Sequence, residues 1–531
     1  MTADEILSHF KRQEQDTLKL MLDRRHPDYN ARLPHWEFCE ATYRGGPDWF
    51  DLNIFKYHKE GDGEFGERKD RAYRFNHTRE VVDIVNKYIF KAQIARKQDD
   101  APAQIKKFWK SATLAGRSIN HFMRQVAEKS SVYGRPYIVV DTTASGEGTL
   151  AEEAENGNRV YAYIVKPQNV LDMAFDDLGE LVWIMIRETA RDDADPLDSG
   201  AERERYRLWM RDNWVLFDIE VDESTGEKTV IPSEAGETNI GMVPVVPGDH
   251  VVHENRYSSP SLIDDVAYLD RATANYLSNL DAIIQDQTFS QLIMPAQAML
   301  PDDDEAEKIM ELGTKRIFTY DAQATIAPQY ISPDPKQAGV ILSVINKIIG
   351  EIYHSVGMAG ERTKQDNAVG IDNSSGVAKA YDFERMNAML AAKAAALNDI
   401  ENRLIRVVAA WTEAPQDDDE ELVKYPANFD VRSLYDEFEI AQRLSLIDAP
   451  DMVRKEQMKT LVEKLFPRLS KTIIEKITKE IDDGWPDILA KLDSETASVS
   501  EIPGLVVPTK DNKQGQNNTE TKKTNEKAST D

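Results

Sequence analysis

From Thr78 onward, apolar residues recur at intervals of three and four. Val81, Val82, Val85, Tyr88 and Ile89 predict one amphipathic helix, and a second runs from Ala103 to Ser131. At Arg135 the period changes. PYIVVD is strongly β-forming, and VYAYIVKP, ELVWIMIRETA, RYRLWMRDNWVLFDIEVD and MVPVVPGDH continue the pattern. The turn-rich stretches GEGTLAEEAENGNR and DDADPLDSGAER separate these runs. About five or six strands in about 115 residues are expected, as a mostly antiparallel sheet flanked by helices. Residues 1 to about 75 are polar with scattered aromatics (Trp36, Tyr43, Trp49, Phe50) and a Gly45-Gly46-Pro47 turn, which suggests short helices and loops on a larger body.

After Ser259-Pro260 the helical period returns. Leu262, Val266, Leu269, Thr273, Leu277, Leu280 and Ile284 form a narrow seam, and Asp264, Asp265, Asp270, Asp281 and Asp286 lie off it. Pro295 and Pro301 end this helix. A short helix with Asp302-Asp303-Asp304-Glu305 at its start and two strand-like pieces, KRIFTY and ATIAPQYI, follow as a compact insert of about 40 residues. Beyond Pro333 and Pro335, a helix with an apolar face (Val340, Ile341, Val344, Ile345, Ile348, Ile349, Ile352) leads back. Then comes the loop GMAGERTKQDNAVGIDNSSG, with four glycines and no apolar period, feeding a helical pattern of about 35 residues, roughly 52 Å long. Met386, Leu390, Leu397, Ile400, Leu404, Val407 and Trp411 keep its seam, and interleaved alanines permit close approach of a neighbour. Residues 425 to 490 read as three short helices, and the last two dozen residues as a disordered tail. The fold class is therefore α+β, mainly helical.

A chain of 531 residues has length for two to four domains. With Cys39 alone, an internal disulfide and a cysteine-built zinc site are excluded. MTADEILSHFKRQEQ lacks a signal-peptide core, and the most apolar stretch, Val340 to Val356, is broken by Lys347 and Glu351, so a soluble, cytosolic chain with no membrane segment is expected. The net charge of -28 argues against tight nucleic-acid binding. It is compatible with a wall past which a duplex slides, since an acidic surface offers phosphates no sticky wells.

Catalytic motifs are missing. Neither G-x-x-x-x-G-K-[ST] nor a G-x-G-x-x-G after a strand occurs. His250 and His253-Glu254 form an H-x-x-H-E cluster in a turn that matches no zinc arrangement, and Cys39 reads as a small buried thiol. Neither catalytic residues, nor a cofactor, nor a metal is expected. Two rival readings stay open: a carboxylate-dependent nuclease or hydrolase, and a cytosolic adaptor that uses its helices for heteromeric coiled-coil pairing.

The turn YRGGP, the junction SVYGRPYIVVD, the segment VKPQNVLDMAFDDLGELVWI and the opening of the long helix, SSGVAKAYDFERMNAMLAAKAAAL, together with the order of elements, resemble the portal (head-tail connector) proteins of tailed bacteriophages over roughly residues 30 to 490. The resemblance implies an N-terminal region and wing at 1–260, a stem helix out at 261–294, a clip at 295–334, a stem helix back at 335–358, a tunnel loop at 359–376, a long wing helix at 377–412, a crown at 413–500 and a disordered tail at 501–531. It implies a twelve-membered homo-oligomeric ring at a capsid vertex of the virion, assembled in the host cytoplasm. Double-stranded DNA would pass without sequence specificity during packaging and ejection, and terminase, major capsid or scaffold, and head-tail connector proteins would dock. On that reading Arg362, Lys364, Gln365, Asn367 and Asn373 of the loop are candidates for DNA contact. Asp264, Asp265, Asp270, Asp281 and Asp286 form an acidic stem face, and Lys308, Lys315, Arg316 and Tyr320 of the clip are candidates for terminase or connector contact.

Overall fold

A computed structural model describes residues 2–91, 94–98, 101–143, 159–191, 193, 195–196, 200–221, 226–288, 291–295, 317–320, 329–331, 335–358, 376–414, 421–427, 429, 451–465 and 471–484. The chain divides into a unit of residues 1–430 and a second of residues 431–531. The fold is α+β, with mostly antiparallel sheets and thirteen α-helices among the described residues.

The chain opens with five helices: α1 (Ala3–Lys11), α2 (Gln15–Asp23), α3 (Tyr29–Arg44), α4 (Pro47–Asn53) and α5 (Asp62–Asp70). Their boundaries follow local chemistry. Thr2 and Glu5 make a reciprocal capping box on α1, and Pro47 opens α4, where its missing N–H costs nothing. Helix α6 (His77–Ile89) buries Val81, Val82, Val85 and Ile89, as the period predicts. The second predicted helix is instead two, α7 (Ala103–Lys110) and α8 (Ile119–Tyr133). A turn closed by Ala112 N–H to the Arg117 carbonyl (2.7 Å) separates them, and it frees the Ala112 carbonyl to accept from Ala162 N–H on the neighbouring strand.

Strands β1 (Ala95–Arg96), β2 (Tyr137–Thr142), β3 (Val160–Val165), β4 (Val170–Phe175), β5 (Leu181–Arg191), β6 (Glu202–Met210), β7 (Asn213–Val221), β8 (Lys228–Glu237) and β9 (Val245–Pro247) follow. They form two sheets of the predicted antiparallel kind, β3-β2-β9 and the meander β4-β5-β6-β7-β8, rather than one. The two-stranded pair of β1 with β13 (Val423–Lys424) makes a third. Ile138, Val139 and Val140 of β2 are buried in succession, and the helix Gly376–Trp411 packs against this central strand. The edge of the meander is covered: Gln15 pairs its amide with Val230 N–H and C=O, both at 3.0 Å, completing strand β8 with a side chain.

The junction SVYGRP has a steric cause. Gly134 ends α8 at φ +80, and a Cβ there would lie 1.9 Å from the Ser259 carbonyl oxygen. Only glycine lets the chain pass between α8 and the segment that launches the next helix. Arg135 then holds Asp249 through two parallel contacts, Nη2 to Oδ2 at 2.8 Å and Nε to Oδ1.

The outgoing helix is α9 (Val266–Thr288), shorter than the predicted 261–294 at both ends. Ser261 donates through N–H and Oγ to Asp264, which fixes a turn before the helix. Gln291–Pro295 is strand β10 rather than helix, central between β11 (Ile317–Tyr320, parallel) and β12 (Gln329–Ile331, antiparallel). The insert thus has a sheet of its own, and the parallel β10–β11 pair requires a crossover that a hairpin turn cannot supply. The expected acidic helix start at Asp302–Glu305 lies outside the described residues. Helix α10 (Pro335–Ser355) packs beside α9, and α11 (Gly376–Trp411) spans 36 residues. Among the described residues no helix is long and apolar enough to cross a membrane.

Residues expected at the start of the C-terminal bundle belong to the first unit, where Leu422, Val423 and Tyr425 are buried. In the second unit, α12 (Asp451–Leu465) and α13 (Lys471–Gly484) pair through Lys459 Nζ and Asp482 Oδ1 at 2.8 Å. The predicted tail at 501–531 lies outside the described residues.

Candidate functional site

The features that set this chain apart are the hairpin α9–insert–α10 and the root of the loop that follows it. The predicted seam of α9 is buried at Val266, Thr273, Leu277 and Leu280, then leaves the core at Ile284, which is 48% exposed. Helix α10 does the same in reverse. Ile345, Ile349 and Ile352 are buried, whereas Val340 is 64% and Leu342 47% exposed. The hairpin is therefore rooted in the body and carries unpaired apolar side chains on its outer half.

Its root is polar and tightly partnered. The Asp270 carboxylate accepts from Thr78 N–H (3.2 Å) and Thr78 Oγ1 (2.8 Å) at the start of α6, with Arg74 Nη1 3.9 Å away. A buried carboxylate at a helix N-terminus satisfies otherwise orphaned donors. Asp270 consequently does not belong to an open acidic face. Asp281 faces Arg71 at 3.4 Å and Gln285 at 3.1 Å, and Asp264 faces His35 at 2.8 Å. Of the four whose side chains are described, Asp265 alone is exposed in the manner predicted; Asp286 is placed on α9 by its backbone. At Asp264, Asp270 and Asp281 the predicted acidic face is instead a set of anchors to the N-terminal helical region, since Asp side chains near a helix base find donors within reach.

On α10, Tyr353 hydroxyl lies 3.1 Å from His77 Nδ1 and donates to Glu80. The helix stops at Gly357, φ +72, with Gly357 N–H on the His354 carbonyl and Met358 N–H on the Tyr353 carbonyl. A Cβ at Gly357 would meet Arg385 Cγ at 3.3 Å, so the root of the loop presses directly against α11. A cleft of about 440 Å³ opens here, lined among others by His250, His253, Ser261, Asp264 and Arg385. Within the H-x-x-H-E cluster, His250 is buried and His253 exposed, and both border this cleft. Burial, then Lys393, holds the His250 imidazole well below its ordinary pKa.

Helix α11 buries the predicted seam from Met386 through Leu390, Leu397, Ile400 and Leu404. Two charged residues hidden within it escaped the sequence reading. Lys393 is fully buried and donates to Ser130 Oγ of α8; burial holds its ammonium well below the ordinary pKa. Glu401 is also fully buried, accepting from Arg96 Nε (2.7 Å) and Nη2 (3.1 Å) and from the Tyr425 hydroxyl (2.7 Å). The signal for both lies in spacing: Lys393, Leu397 and Glu401 share the apolar stripe at steps of four.

Arg362, Lys364, Gln365, Asn367 and Asn373 lie outside the described residues, as do Lys308, Lys315 and Arg316. Tyr320 closes strand β11 opposite Pro295 of β10.

No protein-family model matches the chain, and no curated protein matches it. Solved chains from gene transfer agent particles are similar to it in structure. One, from the neck of an empty GTA particle computed with C6 symmetry, is 10% identical with a TM-score of 0.39, covering 72% of this chain and 89% of that one. Another, from the neck of a native GTA particle computed with C12 symmetry, is 10% identical with a TM-score of 0.38, covering 83% and 94%. A third, from the virion of a native GTA particle, is 10% identical with a TM-score of 0.34, covering 70% and 85%.

Proposed function

We propose that this chain is a portal-type head-tail connector subunit, copies of which surround a channel through which duplex DNA is packaged and ejected. The observation that carries the reading is the hairpin α9–insert–α10: its inner half is locked into the body, and its outer half exposes Ile284, Val340 and Leu342. Exposed apolar residues on rigid helices call for a neighbour, and a heterologous contact repeated around an axis closes a ring. The insert sheet at the hairpin tip is then the surface for terminase or connector proteins, with Lys308, Lys315, Arg316 and Tyr320 as candidate contacts.

The loop 359–375 would project from a fixed root at Gly357 into the channel. Arg362 and Lys364 would meet phosphates briefly while Asp366 and Asp372 limit the hold, and Gln365, Asn367 and Asn373 add neutral contacts. A net charge of -28 keeps the remaining wall repulsive to DNA. The hydrolase reading has less support: among the described residues the fully buried carboxylates Asp270 and Glu401 are each occupied by donors from the fold.

The test is mass photometry of the purified full chain beside the double variant Val340→Asp/Leu342→Asp. The wild type should form large closed oligomers and the variant should remain monomeric with an unchanged circular-dichroism spectrum. Equal assembly in both would remove the hairpin from the interface.

A further inference from the structure

The geometry points to a divalent transition-metal site of the zinc class, formed by His35 Nε2 and Cys39 Sγ of α3 and Asp264 at the turn before α9. Their ligand atoms lie within 4.8 Å of one another. His35 and Cys39 are one helical turn apart, so both side chains leave the same face, and the Ser261–Asp264 turn delivers the carboxylate opposite them. Imidazole, thiolate and carboxylate together form a donor set suited to zinc and cobalt(II).

The sulfur–nitrogen separation fits the assignment. Tetrahedral zinc, with Zn–N and Zn–O of about 2.0–2.1 Å and Zn–S of about 2.3 Å, sets S···N near ~3.5 Å and N···O near ~3.3 Å. Here Cys39 Sγ is 3.6 Å from His35 Nε2, and Asp264 Oδ1 is 2.8 Å from the same nitrogen. The carboxylate needs to withdraw by about half an ångström to admit an ion. His35 and Asp264 side chains retain 20% and 31% exposure, which leaves a path for the ion and a position for water as the fourth ligand.

A metal ion at the centre would take the place of the Cys39 thiol proton and stabilise the thiolate. The surroundings already orient the ring: His35 Nδ1 lies 3.1 Å from the Tyr268 hydroxyl, and the two rings stack at 5.8 Å with planes 15° apart. Metal-bound histidines commonly donate their second nitrogen to such a partner. Ser261 Oγ, 2.6 Å from Asp264 Oδ1, and Ser261 N–H, 3.1 Å from Oδ2, hold the carboxylate. The ion would clamp the N-terminal helical layer to the base of the hairpin.

The experiment titrates chelator-stripped full-length protein with cobalt(II). A thiolate-to-cobalt charge-transfer band should grow to saturation at about one ion per chain and disappear when zinc is added. Because Cys39 is the only cysteine, that band can arise nowhere else. Cys39→Ser should abolish it, His35→Gln should weaken binding at least ~10-fold, and Tyr268→Phe should weaken it by about 10- to 100-fold. Circular dichroism of each variant separates ligand loss from unfolding. A wild-type protein without the band, or a folded His35→Gln variant that binds as the wild type does, overturns the assignment.

Discussion

Gly134, Lys393 and His250 meet within the packing of α8 against α11, and each is there for a different physical reason. Gly134 is demanded by backbone geometry, so Gly134→Ala should cost ~3 kcal/mol or more in denaturant unfolding. Wild-type stability in that variant would mean that the Ser259 carbonyl can withdraw. Lys393 answers instead to electrostatics. Its amine is held below its ordinary value near 10.5, so the unfolded chain holds this proton more tightly than the folded chain does, and stability is lost as pH falls below that value. Met retains the stem without the charge, and Ser130 Oγ keeps its bond to the Ala127 carbonyl at 3.1 Å. Lys393→Met should therefore stabilise the protein at pH 7 by about 1–2 kcal/mol in the same measurement. His250 follows the same sign at lower pH. Its ordinary value is near 6.5 and its folded value is lower, so stability is full above that point and falls below it, by up to about 1.4 kcal/mol per pH unit. His250→Gln should flatten this part of the stability-against-pH curve.

Elements were legible wherever one periodicity governed the whole stretch. The seams of α6, α9 and α11 are buried at most of the residues the spacing selects, Ile284 being the exposed exception, because a stripe at steps of three and four can be satisfied only by a neighbour along one face. Legibility failed where a local bond overrides the period. The Ala112–Arg117 turn splits one predicted helix in two, and β10 takes Gln291–Pro295 from the predicted end of α9 because two other strands are there to pair with it. The site residues separate in the same way. Buried Lys393 and Glu401 interrupt an apolar stripe with charges whose partners, Ser130 and Arg96, are hundreds of positions away. His35 is one turn from Cys39, a legible pair, but Asp264 is joined to it only by the fold. At this scale the loop after Gly357 has its own test. Arg362→Ala/Lys364→Ala should reduce the amount of DNA packaged or retained in particles, measured by particle DNA content, while ring assembly persists. Loss of the ring would make the segment part of the scaffold.

At the scale of the whole molecule, the account rests on one inequality: the hairpin has more apolar surface on its outer half than a single chain covers. Ile284, Val340 and Leu342 are exposed on helices whose inner halves are fixed by Asp270, Tyr353 and the buried isoleucines. A lone adaptor could pair such a surface with one partner, whereas a portal must pair it with its own copies around a closed ring. The measurement that separates them is a class-averaged electron micrograph of the purified full-length chain, taken across a range of salt and concentration. The account predicts closed rings with a central channel and a single rotational symmetry. A population that stays monomeric under every condition would contradict it.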